Sequence, residues 1–397
     1  MILAFVFATS TSLRPGWKRF YRFVPPLLLC YFVPGLLGTL GVFSGDASRL
    51  YFVASRYLLP TSLVLLTLSL DLPAIRRLGG KIVVMFLTGT VGVVVGGPLA
   101  IVIVGAFAPD VVGGEGPDAV WRGMTTVAGS WIGGGANQTA MKEVFEVGDD
   151  VFSSWIAVDV IVANVWLAFL LYGAGVAARI DRWTGADTTA IEALQRKVQD
   201  YEAAHRRVPT TADLFQMLAV GFGATALAHL GADAIAPFLE THYPALSRFS
   251  LTSRFFWLIV IATSLGVVAS FTRFRELEGA GASRVGAVLL YVLVATIGMK
   301  MNLLAIFERP GIFVVGAVWI TIHAAAMIVV GRLLRAPLFF VAVGSQANIG
   351  GAASAPIVAS AFHPVLAPVG VMMAVLGYAL GTYAAWLCGI AMQAVAP

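Results

Sequence analysis

The sequence predicts an all-α polytopic membrane protein built as an inverted repeat of two halves, and three observations carry that expectation. Apolar residues make up 59% of the chain and charged residues only 12%, whereas a soluble domain is roughly half apolar and about a quarter charged. The apolar residues fall into blocks of about 20, the length that crosses a bilayer as a helix. Two glycine-rich runs, Gly129 to Thr139 and Gly344 to Ser354, interrupt such blocks at matching places in the two halves.

The first element, Met1 to Thr9, is apolar but too short to span, and Arg14, Lys18, Arg19 and Arg22 follow it closely. It lacks the basic start and small-residue cleavage site of a signal peptide, so it reads as the second half of a helix that begins upstream. Nine full spans are then expected: Phe23 to Phe43, Leu50 to Leu70, Lys81 to Phe107, Phe152 to Ala178, Leu214 to Leu239, Phe255 to Phe271, Arg284 to Phe307, Gly311 to Leu334 and Val365 to Val395.

Two apolar segments remain, Trp121 to Val147 and Leu338 to Ala361, and the basic loops decide how they run. Loops rich in Lys and Arg belong on the cytoplasmic side. Those loops carry Arg76, Arg77 and Lys81, then Arg273, Arg275 and Arg284, then Arg332 and Arg335. A full crossing by Trp121 to Val147 would put the basic linker Arg179 to Asp213 outside. A re-entrant hairpin keeps it in the cytoplasm and leaves Asp110, Glu115 and Asp118 outside. Leu338 to Ala361 is read the same way, entering from the cytoplasm. Within the linker, Ile191, Leu194, Val198 and Tyr201 recur at helical spacing, as in an amphipathic helix on the membrane surface. The net charge of +5 is spread over these short loops rather than gathered on a nucleic-acid-binding face. Cys30 and Cys388 each lie inside an apolar block, which excludes a disulfide framework and a paired-cysteine metal or redox motif.

The repeat is visible in Trp131-Ile132-Gly133-Gly134 and Asn348-Ile349-Gly350-Gly351, whose isoleucines lie 217 residues apart (349 − 132). Expected boundaries are residues 1–178 for the first repeat with its hairpin at 121–147, 179–213 for the cytoplasmic linker, and 214–397 for the second repeat with its hairpin at 338–361. With one hairpin in each half, the halves enter the membrane in opposite senses. Inverted repeats with broken elements near mid-membrane are a recurring plan of secondary transporters.

The breaks supply the candidate site. In the first, Gly133, Gly134 and Gly135 stand among Ser130, Asn137, Gln138 and Thr139. Each interior glycine costs a helix about 1 kcal/mol relative to alanine, and backbone freed at membrane depth must meet protein or a wet cavity. Amides opening the following half-helix, from Asn137 onward, suit a carboxylate, and carbonyls closing the preceding one suit a small cation. The second break repeats the pattern with Ser345, Gln346, Asn348, Gly350, Gly351 and Ser354. Sodium near Gly129 to Asn137 and near Gln346 to Ser354 fits these neutral oxygens, and protons fit as coupling ions too. Close helix packing alone explains Gly92-x-x-x-Gly96 and Gly377-x-x-x-Gly381, but not the clustered amides of the breaks.

Ionisable residues inside spans are functional candidates because a lone charge in hydrocarbon is costly. Asp71, Asp159, Lys300 and His323 qualify, and Asn164 and Asn302 are weaker polar candidates. Each has a structural alternative. Asp71 can pair with Arg76 or Arg77 at the interface, Lys300 with Asp159 or Asp71, and His323 can be an ordinary hydrogen-bonded histidine of the bundle. No phosphate-binding Gly-x-x-x-x-Gly-Lys-Ser/Thr loop, His-Glu-x-x-His or Gly-x-Ser-x-Gly motif is present, so neither ATP-driven transport nor intramembrane hydrolysis is expected.

Trp17-Lys-Arg-Phe-Tyr-Arg-Phe-Val-Pro25, Ser55-Arg-Tyr-Leu-Leu-Pro60, Leu68-Ser-Leu-Asp71, Gly129-Ser-Trp-Ile-Gly-Gly134 and Ala347-Asn-Ile-Gly-Gly351 resemble the YjcL-like family, a domain of unknown function numbered 819. In layout the hairpins are similar, more distantly, to those of sodium:glutamate symporters and 2-hydroxycarboxylate transporters. That resemblance implies an elevator, in which a domain holding both hairpins moves against a scaffold within a homodimer. No arginine stands inside the second break to clamp a carboxylate.

The expected function is therefore gradient-driven symport, sodium- or proton-coupled, of a small polar or anionic organic solute across a bacterial inner membrane. A sodium/proton antiporter and a non-transporting receptor or scaffold are the alternatives. No enzymatic activity and no cofactor beyond the coupling ion are expected.

Overall fold

The computed structural model describes the whole chain except residues 25, 43–47, 72–74, 77, 187, 189–207, 300–308 and 364–365, with backbone alone at 22, 23, 27, 28 and 248. The amphipathic linker helix expected over Thr188 to Arg207 lies, apart from Thr188, outside the described residues, as do Lys300 and Asn302.

Helices account for the regular structure among the described residues. In chain order they are α1 (Ile2–Ser10), α2 (Pro15–Phe23), α3 (Pro26–Thr39), α4 (Leu50–Leu68), α5 (Gly80–Gly105), α6 (Val120–Val144), α7 (Asp149–Gly175), α8 (Ala177–Thr184), α9 (Thr211–His242), α10 (Arg254–Ser270), α11 (Ala282–Gly298), α12 (Ile312–Leu333), α13 (Leu338–Ile349), α14 (Gly351–Phe362) and α15 (Ala367–Val395). Six of them, α4, α5, α7, α9, α12 and α15, are long and apolar enough to cross a membrane. A seventh is gained if α10 is joined to the segment Arg273–Ala280, bent from it by 92°. Nine were expected from the sequence. The difference lies mainly in α3 and α11, which are apolar but only 14 and 17 residues long as described.

Proline shapes α4. Pro60 has no N–H to offer the carbonyl four residues back, so the helix widens to a π-turn over Ala54–Leu58. The carbonyl thereby freed, that of Arg56, accepts instead from His229 Nε2 on α9 at 2.9 Å. One sequence feature thus both bends a helix and fixes its neighbour.

The helices pack in two groups. In the first, α3, α4, α9, α10 and α11 lie against one another. Small residues bring their backbones close: a Cβ on Gly266 would lie 2.9 Å from Val64 Cα, and one on Gly286 3.1 Å from Ser62 O. Thr61 and Thr225 hydroxyls join α4 to α9 at 2.8 Å. In the second group, α5, α6, α7, α12, α13, α14 and α15 lie against one another. The groups meet where α10 and α4 touch α6 and α15. This division cuts across the sequence halves, since α4 of the first half packs with α10 and α11 of the second.

Both glycine-interrupted segments fold back on themselves. The Trp121 and Phe145 ring centroids, at opposite ends of α6, are 5.9 Å apart, whereas a straight helix would separate these residues by about 36 Å. The turn is at Gly134, whose φ of 71° is open to glycine and strained for other residues. In the second hairpin Phe339 and Phe362 close the mouth at 5.4 Å. Its turn is at Gly350 and Gly351, the latter at φ 53°.

Helix α15 sets the hairpins against each other. Near its start, a Cβ on Gly370 would lie 2.5 Å from the Ala355 carbonyl of the second hairpin. At mid-helix, one on Gly381 would lie 2.6 Å from Gly133 Cα of the first, and near the end Gly389 sits against Phe145. The mouths therefore face opposite ends of α15 and the tips meet in the middle, where a Cβ on Gly351 would be 4.0 Å from Gly134 Cα.

Candidate functional site

The first tip is organised by Asp159, buried in the middle of α7. Its Oδ2 accepts from Ser130 Oγ at 2.7 Å and from Gln138 Nε2 at 2.9 Å, and its Oδ1 from the Trp131 indole at 2.7 Å. Ser130 and Trp131 belong to the incoming arm and Gln138 to the outgoing arm, so one carboxylate holds both sides of the turn. Three donors to a desolvated carboxylate replace the water it has lost. Gln138 also receives the Tyr31 hydroxyl from α3, at 3.4 Å, which brings the first helix group to this tip.

Asn137 serves the same hairpin differently. Its Nδ2 donates to Gly133 O at 2.9 Å, across the turn, and its Oδ1 accepts from Thr382 on α15 at 2.6 Å. Asn348 repeats the arrangement in the second hairpin: Nδ2 donates to Gly344 O and to Phe86 O, each at 2.9 Å, and Oδ1 accepts from Thr90 on α5 at 2.8 Å. Each asparagine is fully buried and tied to a threonine of a long helix from the other half of the chain. Thr139, by contrast, turns back to Gly135 O at 2.9 Å within its own arm.

His323 fixes the second tip. Its Nδ1 faces Gly89 O at 3.1 Å, and a carbonyl can only accept, so Nδ1 carries the proton. Its Nε2 then accepts the Ser345 hydroxyl at 2.8 Å, and Ser345 Oγ in turn accepts the Trp166 indole N–H, also at 2.8 Å. The result is a closed chain around a neutral imidazole, so His323 positions the hairpin. Gln346 reaches from the last turn of α13 to Ser354 on α14, Nε2 to Oγ at 2.6 Å, over the bare Cα of Gly350.

The sequence-identified residues of both glycine runs thus gather at one junction, together with Asp159 and His323. Asp71 and Asn164 do not join it. Asp71 pairs with Arg275 at 3.2 Å, a partner not among those expected for it, and Arg77 lies outside the described residues. The Asn164 amide donates to Val160 O at 2.7 Å within its own helix. Trp131, read from the sequence only as part of the repeat, and Trp166, Tyr31, Thr90 and Thr382 were not expected as site residues; a hydroxyl or indole N–H in an otherwise apolar span is the signal that marks them. Also missed was the charged layer at the mouth of the first hairpin. There Glu143 pairs with Arg56 of α4 at 3.1 Å and bonds the Tyr51 hydroxyl, and buried Lys142 pairs with Asp149 at 2.7 Å.

Chemically, the junction offers both dipole ends of broken helices. The incoming arms end there with carbonyls, and the outgoing arms begin there with amides from Gly135 and Gly351 onward. Such ends accept cations and anions respectively. No group of three or more His, Cys, Asp and Glu side chains suited to a metal ion occurs among the described residues.

No curated protein matches the chain. Residues 1–395 match a family described as "Protein of unknown function (DUF819)". That match spans both hairpins and every long helix, and the chain belongs to this family of multi-span helical membrane proteins.

Proposed function

We propose that the protein is a secondary transporter that binds a small polar or anionic organic solute where the two hairpin tips meet and moves it across a bacterial inner membrane with a sodium or proton gradient. The meeting of Gly134 and Gly351 between buried Asn137, Gln138, Gln346 and Asn348 carries this reading. Polar side chains and helix ends at that depth cost free energy unless they line something polar. In this reading the hairpins enter the membrane from opposite faces, and residues 1–178 and 214–397 are inverted repeats around an intervening cytoplasmic linker. The second helix group slides past the first as an elevator, and the first builds a homodimer. Hairpins confined to one helix group support such a division of labour.

A sodium/proton antiporter is the second reading, favoured by the buried mid-span carboxylate of Asp159. One experiment separates the two. Purified protein is screened by thermal shift against small metabolites with and without sodium, since a ligand of the native state raises its melting point. Hits are then offered to proteoliposomes under a sodium or proton gradient while a pH dye is followed without organic solute. Gradient-dependent uptake of a hit supports the symporter; a dye response to a sodium jump alone supports the antiporter.

A further inference from the structure

Gln346 is 1% exposed, and its Nε2 is used on Ser354. Its Oε1 is the single buried side-chain nitrogen or oxygen without a hydrogen-bond partner among the described residues. Leaving a buried acceptor unpaired is costly, and native proteins rarely carry one without a reason. The position supplies a reason. Gln346 stands in the last turn of α13, where the final carbonyls have no amide of their own arm to meet and the helix end is partially negative. Two residues past that end, Gly351 abuts the first hairpin at Gly134.

The charge inventory narrows the ligand. Residues 338–362 contain no ionisable side chain. The carboxylate at the opposite tip, Asp159, already accepts three hydrogen bonds within its own hairpin region. A divalent ion needs anionic oxygens. Neutral carbonyl, amide and hydroxyl oxygens at the negative end of a broken helix suit a monovalent one.

We propose that Gln346 Oε1 is a direct ligand of a sodium ion at the second hairpin tip, completed by carbonyl oxygens at the end of α13. The Ser354 hydroxyl holds the amide by accepting its N–H, which turns Oε1 toward the ion. Gly350 makes this possible, because a Cβ there would occupy the space of the Gln346–Ser354 bridge. The assignment rests on the transporter reading only for its role in coupling; binding itself is independent of transport.

The test uses the full-length purified protein without organic solute, its melting temperature titrated with sodium chloride, sodium gluconate, potassium chloride and choline chloride at constant ionic strength. Sodium is expected to stabilise saturably where choline does not. Gln346→Leu is expected to raise the half-saturating sodium concentration about tenfold or more, the weight of one hydrogen-bond-like contact to a charge. Gln346→Glu, which keeps an oxygen at both ends, retains sodium stabilisation, and Ser354→Ala weakens it even should Gln346→Leu fold poorly. The proposal is overturned by a wild-type response equal in sodium and choline. It is equally overturned by an unchanged midpoint in Gln346→Leu and Ser354→Ala, or by stabilisation that follows the anion, which would mean the free end of the amide is N–H. Sodium binding without uptake by proteoliposomes would remove the transporter reading and leave this site. Sodium-driven uptake with an unchanged midpoint in the variants would do the reverse.

Discussion

The indole N–H of Trp131 donates to Asp159 Oδ1 at 2.7 Å, so the tip of the first hairpin is anchored to the middle of the helix that follows it. Because Oδ2 is shared by Ser130 and Gln138, the carboxylate is the common acceptor of both arms. Asp159→Asn puts an N–H₂ where at least one donor already points. It is expected to lower stability by more than Trp131→Phe, which removes a single bond worth about 2 kcal/mol to a charged acceptor. Denaturation of the two variants in the same detergent checks the order; equal losses would mean that the carboxylate does not organise the arms jointly.

The contact between Gly381 and Gly133 leaves no room for a side chain. Gly381→Val is expected to lose at least about 1–3 kcal/mol through overpacking and to increase protease cleavage within Val120–Val144. Gly223, inside α9 where a Cβ meets nothing within 4 Å, is the control: Gly223→Ala should cost no stability, gaining up to about 1 kcal/mol as alanine does in a helix, and should leave cleavage within Val120–Val144 unchanged.

Glu143 on the first hairpin and Arg56 on α4 join the two helix groups at 3.1 Å. Both side chains are partly accessible, 15% and 31%, so the pair is worth about 1 kcal/mol or less. That still shifts a two-state population about fivefold. Glu143→Arg should broaden the distance between spin labels placed one on each group, and the double variant Glu143→Arg with Arg56→Glu should restore it. Unchanged distances in the single variant would show that the pair does not hold the groups in register.

Asp181 Oδ1 accepts the Leu338 N–H at 2.8 Å and so caps the first arm of the second hairpin from α8. Burial pushes its carboxyl above the ordinary aspartate value, with the Leu338 amide pulling it down less strongly. The folded state then holds the proton more tightly than the unfolded chain does. Stability contributed here falls as pH rises from about 4, the ordinary aspartate range, through the raised value. Asp181→Asn keeps an acceptor without the charge and should flatten that decline in a melting-temperature profile; Asp181→Ala should flatten it as well and lie about 1 kcal/mol below Asp181→Asn at every pH as a missing cap. A profile unchanged by Asp181→Asn would remove the carboxyl from the account.

How much of this was legible depended on sequence distance. Three consecutive glycines among amides cannot continue a helix cheaply, so the breaks at Gly134 and Gly350–Gly351 could be placed from local chemistry alone. An unbroken apolar block is equally local: Gly311 to Leu334 was expected where α12 covers Ile312–Leu333. Partners were not legible. Asp71 has Arg76 and Arg77 close in sequence, and nothing local points from it to Arg275, 204 residues away, with which it pairs because α4 packs on α10 and the segment after it. Thr90 and Thr382 are small polar residues of apolar helices, and nothing near them in sequence marks Asn348 and Asn137 as their partners. Periodicity and composition encode which face is buried; they do not encode which buried donor meets which acceptor.

The central claim, that the joined tips are the solute site, is tested most directly by initial uptake of a thermal-shift hit into proteoliposomes by wild type, Asn137→Ala and Asn348→Ala, each normalised to folded protein. Gradient-driven uptake should fall at least about tenfold in both variants, since each loses a buried amide whose partner is then left unpaired. Uptake at the wild-type rate in both would contradict the account.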